Sequence, residues 1–141
     1  MSTNCELCEG SGGELLHQDA QLRIVLVDDK DYPGFCRVIW NAHVKEMTDL
    51  SPAQRATLMN AVFTVESAVR EAMSPFKINL ASLGNMTPHL HWHVIPRYAD
   101  DVHFPGPIWS VAQRDPDVQS LARRQSLVPA LRALLVRQFS S

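Results

Sequence analysis

Between Pro88 and Pro96 the chain reads His89-Leu90-His91-Trp92-His93-Val94-Ile95, with an imidazole at every second position. Successive side chains of a β-strand face opposite ways. The spacing therefore predicts a strand with His89, His91 and His93 on one face and Leu90, Trp92 and Val94 on the other. A neutral imidazole offers one nitrogen as a lone-pair nucleophile while a carbonyl ties down the other, and its ordinary pKa of about 6.5 leaves it largely neutral near pH 7. Such a group suits attack on phosphorus. Its neighbours, roughly 6 to 7 Å away along the strand, orient the nucleophile or meet the phosphate and leaving group. Two other readings compete with this one. One is a solvated polar face, for which three of the chain's six histidines are a poor choice where Thr, Lys or Glu would serve. The other is a zinc ion held by alternate histidines of one strand.

Cys5-Glu6-Leu7-Cys8 has a spacing that lets two thiolates turn toward one tetrahedral metal, although two unrelated exposed thiols would look the same. Glu9-Gly10-Ser11-Gly12-Gly13 follows, so no helix is expected behind the pair and a redox CxxC is disfavoured. Cys36 reads as a small core residue. Arg97, just past the histidine strand, has a planar donor fork that fits a phosphate or simply faces water. Trp109 and Phe104 offer faces for a base, but packing under a C-terminal helix is the better expectation. His17 and His103 read as surface histidines.

Several elements must position these residues. Glu14 to Gln18 and Leu22 to Val27, broken at Asp19-Ala20, read as a hairpin, and Phe35 to Trp40 as a third strand after a turn-rich segment. Ser51, with Pro52 at the first helical position and Gln54 three residues on, opens a helix whose apolar positions Leu58, Met59, Val62, Val65, Val69 and Met73 keep helical spacing up to Ser74-Pro75. Lys77 to Leu83 and His89 to Ile95 are further strands, the second closed at both ends by proline. From Asp115 the pattern turns helical, with Leu127, Leu131, Leu134 and Leu135 on one stripe and Pro129 in a first turn or at a break. Gly10 to Gly13 lacks the ending of a phosphate loop and reads as a flexible connector.

This order predicts one α+β domain over 1–141, with a core at about 5–110 and a helical extension at 115–139, and a mainly antiparallel sheet. A formal charge of -2 without a basic block argues against a duplex nucleic acid or an anionic membrane as partner, and favours a small molecule. With no leader-like or membrane-spanning run and an odd number of cysteines, the expected compartment is the cytoplasm.

The stretch from His89 to Ile95 resembles the His-φ-His-φ-His-φ-φ signature of the histidine-triad superfamily of nucleotide hydrolases and transferases. Val27 to His43, with Pro33-Gly34 before a strand, and Met47 to Ser51 resemble the family's first conserved half, and Asn79 to Ile95 its second. The resemblance implies a five-stranded antiparallel sheet with one long central helix and a two-fold homodimer. It implies a purine nucleotide or dinucleoside polyphosphate as ligand. It makes His91 the nucleophile that forms a covalent nucleotidyl intermediate, with His93 at the phosphate and His89 completing the catalytic triad. Asn79 and Asn85 would bond phosphate oxygens or the leaving group, and Asp28, with Asp29 beside it, would grip the ribose. Cys5, Cys8, His43 and His89 would hold a structural zinc that the chemistry itself does not need.

Phe35 stands where many members carry a fourth histidine, and Trp40-Asn41-Ala42 replaces their Pro-Lys-Arg. Pro96 to His103 with Ile108-Trp109 resembles the diadenosine polyphosphate hydrolase branch. A noncatalytic zinc-stabilised nucleotide sensor or adaptor is the alternative function.

Overall fold

The computed structural model describes residues 5–140. Its elements run α1 (Glu6–Glu9), β1 (Glu14–Gln18), β2 (Leu22–Leu26), β3 (Cys36–Trp40), a 3₁₀ turn (Met47–Asp49), α2 (Pro52–Met73), β4 (Lys77–Ala81), β5 (His91–Arg97) and α3 (Val118–Phe139). Every strand pairing is antiparallel, in the order β1-β2-β3-β5-β4. This is the α+β sheet expected from the sequence, with α2 as its long helix and α3 as its C-terminal one. No described helix is long and apolar enough to cross a membrane.

The two faces of the sheet divide the work. Leu22, Ile24, Leu26, Cys36, Val38, Trp40 and Val94 pack with Leu58, Val62, Val65 and Val69 of α2 and Leu131 and Leu135 of α3 into the main core. Alternate residues of the same strands look the other way, where Val25 and Ile39 receive Cys5 and Leu7 from the α1 segment in a smaller cluster. Helix α2 begins as its capping signals require: the Ser51 hydroxyl accepts from the Gln54 amide and the Gln54 side chain accepts from the Ser51 amide.

Four expectations are corrected by the structure. The histidine strand starts at His91, not His89, and runs through Pro96 to Arg97. Its pairing with β3 ends at Val94, so Pro96 has only β4 beside it and its missing amide interrupts no ladder on the β3 side. Helix α3 is continuous across Pro129. Pro129 and Gln125, whose carbonyl loses its helical partner, are both exposed, so water can serve that carbonyl. Leu127 is also exposed, and the buried stripe of α3 passes instead through Leu131, Leu134 and Leu135. Finally, the glycine segment is a close-packed crossing. A Cβ on Gly12 would come within 2.8 Å of the Ile39 and Leu7 side chains, and the backbone there has φ +84°.

Candidate active and metal site

The residues before β5 decide where the histidines go. The His89 amide bonds the Thr87 carbonyl, the Leu90 amide bonds Val44, and the Trp40 amide bonds Leu90, so this stretch is tied into the segment after β3 rather than laddered in the sheet. The His89 ring leaves the row. Its Nε2 lies 2.6 Å from the Trp40 carbonyl, which can only accept, so Nε2 carries the hydrogen and Nδ1 presents a lone pair.

That lone pair faces Cys5 Sγ at 3.3 Å, Cys8 Sγ at 3.4 Å and His43 Nδ1 at 3.3 Å, and Cys8 Sγ is 3.3 Å from His43 Nδ1. All four ligand atoms lie within 4.8 Å of one another. A tetrahedral ion with bonds of about 2.0 to 2.3 Å spans edges of roughly 3.3 to 3.8 Å between such atoms, so the donor set has the right size, chemistry and lone-pair direction for zinc. The carbonyl behind His89 supplies the outer hydrogen bond that metal-binding imidazoles usually make. Among the described residues this quartet is the cluster that converges in this way, and neither His91 nor His93 belongs to it.

His91 and His93 stay together on the strand, ring centroids 4.9 Å apart. His91 Nδ1 lies 2.5 Å from the carbonyl of His89; that oxygen can only accept, so Nδ1 is the donor and Nε2 is left with a lone pair. Burial lowers the His91 pKa, against the opposing effect of the His89 carbonyl, and the charge of Arg37 lowers it further. His93 is pushed down to about 3 by burial, with smaller effects from His91 and Arg37. Its Nδ1 is buried without a partner, and its ring meets Phe35 at 5.6 Å on one side and Trp109 at 5.0 Å on another. Trp109 thus stands against the histidines rather than under α3. Phe35, replacing an expected histidine, offers no acceptor or donor to the orphaned nitrogen.

His91 opens into a cleft of about 370 Å³ whose other walls are Glu6, Leu7, Gly12, Arg37 and Thr87. None of these five walls is among the candidate site residues of the sequence. Arg37 is paired with His93 across the sheet, with Val25 on its other side. It is a lone charged residue between apolar ones in β3, and that was its only signal in the sequence. Arg23, another interior arginine on this face, clamps the first segment down by donating to the carbonyls of Leu7, Gly10 and Ser11. Ser82, also missed, donates to the His91 carbonyl at 2.7 Å.

The other sequence candidates lie elsewhere. Arg97 is 2% exposed and spends four of its five N–H donors inside the protein, on both Asp101 oxygens (2.8 and 3.0 Å), Asn79 Oδ1 (2.7 Å) and the Gly106 carbonyl (2.7 Å). Expected at a phosphate, it instead braces the end of β5 with Asn79 as its partner. Burial works to raise the Asp101 pKa, yet the hydrogen bonds and charge of Arg97 hold it below the usual carboxylate range. Asp28 is exposed on a groove shared with Glu14, Gln125 and Arg132. Asp29 also borders that groove, but it is the one whose charge reaches Arg37. Asn85 is exposed in the loop between β4 and β5.

With this geometry in view, the HIT domain signature matches residues 12–100. The chain belongs to the HIT domain family. That family includes nucleotide hydrolases and transferases. Among solved structures, this HIT chain is similar to a histidine triad protein from Bradyrhizobium japonicum (27% identity, TM-score 0.70, covering 92% of this chain and 96% of that one). It is also similar to a HIT protein from Sinorhizobium meliloti (26%, TM-score 0.72, 96% and 95%). A zinc-bound histidine triad family protein from Mycobacterium smegmatis matches at 25% identity with a TM-score of 0.66, covering 99% of both chains. No curated protein sequence matches it.

Proposed function

We propose that this HIT protein is a cytoplasmic nucleotide hydrolase that acts on diadenosine polyphosphates or related nucleoside phosphoesters and phosphoramidates through a covalent intermediate on His91. The observation that carries the reading is the fixed tautomer of His91, with Nδ1 donating to the His89 carbonyl and Nε2 left as a nucleophile beside an open cleft. Nε2 forms a bond to the α-phosphorus. The bond from phosphorus to the leaving group breaks, the leaving group takes the electron pair, and the released group is protonated from solvent. Water then attacks the phosphorus, the N–P bond breaks, and a nucleoside monophosphate departs with His91 restored. In this reading His93 lies beside the phosphate as a neutral group, and Asn85 and the Asp28–Asp29 turn, which line other surfaces of the free chain, are the proposed contacts of the phosphate and the ribose.

Cys5, Cys8, His43 and His89 hold a structural zinc in this reading. Four protein ligands leave no open position, so the ion would hold the first segment against the sheet and keep the His89 carbonyl aimed at His91. Hydrolysis of diadenosine tri- and tetraphosphate to AMP is the expected outcome of a substrate panel, and it persists in excess chelator for as long as the protein stays folded. Nucleotide binding without turnover across the panel would instead favour a sensor or adaptor.

A two-fold homodimer through α2 and the bare edge of β4 completes the proposal. β4 is the last strand of the sheet, Phe76 just before it is 71% exposed and Phe63 of α2 is 51% exposed, and an unpartnered edge would be open to nonspecific pairing. Light scattering at micromolar concentration should give the mass of two chains. A monomer removes the dimer from this account.

A further inference from the structure

A nucleotide phosphate brings negative charge into the His91 cleft, and the flanking His93, held near 3, brings none of the opposite sign. The cation lining the cleft is Arg37. It projects from the middle of β3, beside His93 and on the histidine face. Of its five donors one is in use, Nη1 to the Gly12 carbonyl at 3.1 Å. Nε is buried and bonded to nothing. Glu6 and Asp29 are close enough to act on its charge, yet among the described residues it has no ion-pair partner of the kind that Arg97 finds in Asp101. The contrast with Arg23 is instructive, because Arg23 spends its donors on three carbonyls of the α1 segment. A buried guanidinium nitrogen left unpaired is costly unless something else meets it. A phosphate has the planar pair of acceptors that the guanidinium fork matches.

We propose that Arg37 is the phosphate-binding residue of this cleft, its guanidinium taking non-bridging oxygens of the phosphate that His91 attacks. The inference rests on the nucleotide-hydrolase reading and adds to it a cation on β3. As the phosphorus becomes five-coordinate its equatorial oxygens gain charge, and a fixed guanidinium stabilises that state more than the ground state.

Calorimetric titration with AMP and with adenosine, which differ only in the phosphate, separates this role from a structural one. The wild-type protein is expected to bind AMP more tightly than adenosine. Arg37→Leu should cut that preference at least tenfold with adenosine affinity unchanged, and should lower kcat/KM on diadenosine tetraphosphate by roughly 10² to 10³. Arg37→Lys, which keeps the charge but not the fork, should recover part of both. Equal weakening of adenosine and AMP would assign Arg37 to holding the Gly12 segment and overturn the proposal. An unchanged AMP preference in Arg37→Leu would overturn it as well, while leaving the hydrolase reading intact. A wild-type protein that binds neither probe overturns the nucleotide reading and this inference with it.

Discussion

Replacing His91 with alanine is expected to lower turnover by four powers of ten or more, on the scale seen when a covalent nucleophile is removed from an otherwise intact site. AMP affinity should change little, because the bond that His91 supplies exists only along the reaction path. What survives in the variant comes from the groups that remain, above all Arg37 at the cleft and the backbone that shapes it. His93→Ala should be milder, roughly ten- to a hundredfold. The His93 side chain has an orphaned nitrogen and no positive charge to lend, so its contribution is confined to shape and to one neutral polar contact. Steady-state kinetics on a diadenosine polyphosphate, with AMP titrations alongside, read both effects. Retention of more than about a tenth of wild-type turnover in His91→Ala would rule it out as the nucleophile, since no displaced water could replace a bonded nitrogen so cheaply.

The period-two pattern of the sequence locates His91 and His93 because a strand face is a local property: two residues along the chain suffice to specify it. His89 breaks the same pattern for reasons the pattern does not contain. Its amide bonds Thr87, the backbone of Leu90 beside it is held by Val44 and Trp40, and its ring is claimed by Trp40's carbonyl and by cysteines more than eighty residues away. Those long separations explain why the Cys5–Cys8 spacing alone left two thiols and a metal site equally open, and why only the family resemblance joined them to His43 and His89. Arg37 is not legible as a site residue in the sequence because its place depends on strand register: opposite His93 it lines the His91 cleft, and a different pairing of β3 would leave it an isolated charge. Arg97 shows the reverse. Its position after the histidine strand suggests a phosphate, yet the tight turn that brings Asp101 back four residues later satisfies it internally. Pro129 does not break its helix since the carbonyl it orphans faces solvent, whereas the caps of α2 predict its start to the residue because capping is a contact within one turn.

Purified protein is expected to carry one zinc ion per chain, and Cys5→Ser/Cys8→Ser to carry none. The effect on stability should be large for a surface segment. Cys5 and Cys8 belong to a stretch whose other fastenings include the small cluster of Leu7 with Val25 and Ile39, the Arg23 hydrogen bonds and the Arg37 bond to Gly12, so a bound ion would add a strong link between that stretch and the segment leading into the strand that bears His91. An ion present at a thousand times its dissociation constant stabilises the folded state by about 4 kcal/mol, which for a chain of this size corresponds to roughly 12 °C in Tm. Chelation of the wild-type protein should therefore lower Tm by about that amount, and the same chelator should leave the double-serine variant where it already melts. Because His89 spans both sites, with its ring toward the metal quartet and its carbonyl on His91, some activity should be lost too. Below the new melting range, however, activity per folded molecule should fall less steeply than stability, since the Trp40 carbonyl still orients the His89 ring after the ion has gone. Elemental analysis that finds no zinc, or a metal content that survives the double substitution, would remove the site from this account; a chelator effect of equal size on the serine variant would show that the chelator acts elsewhere.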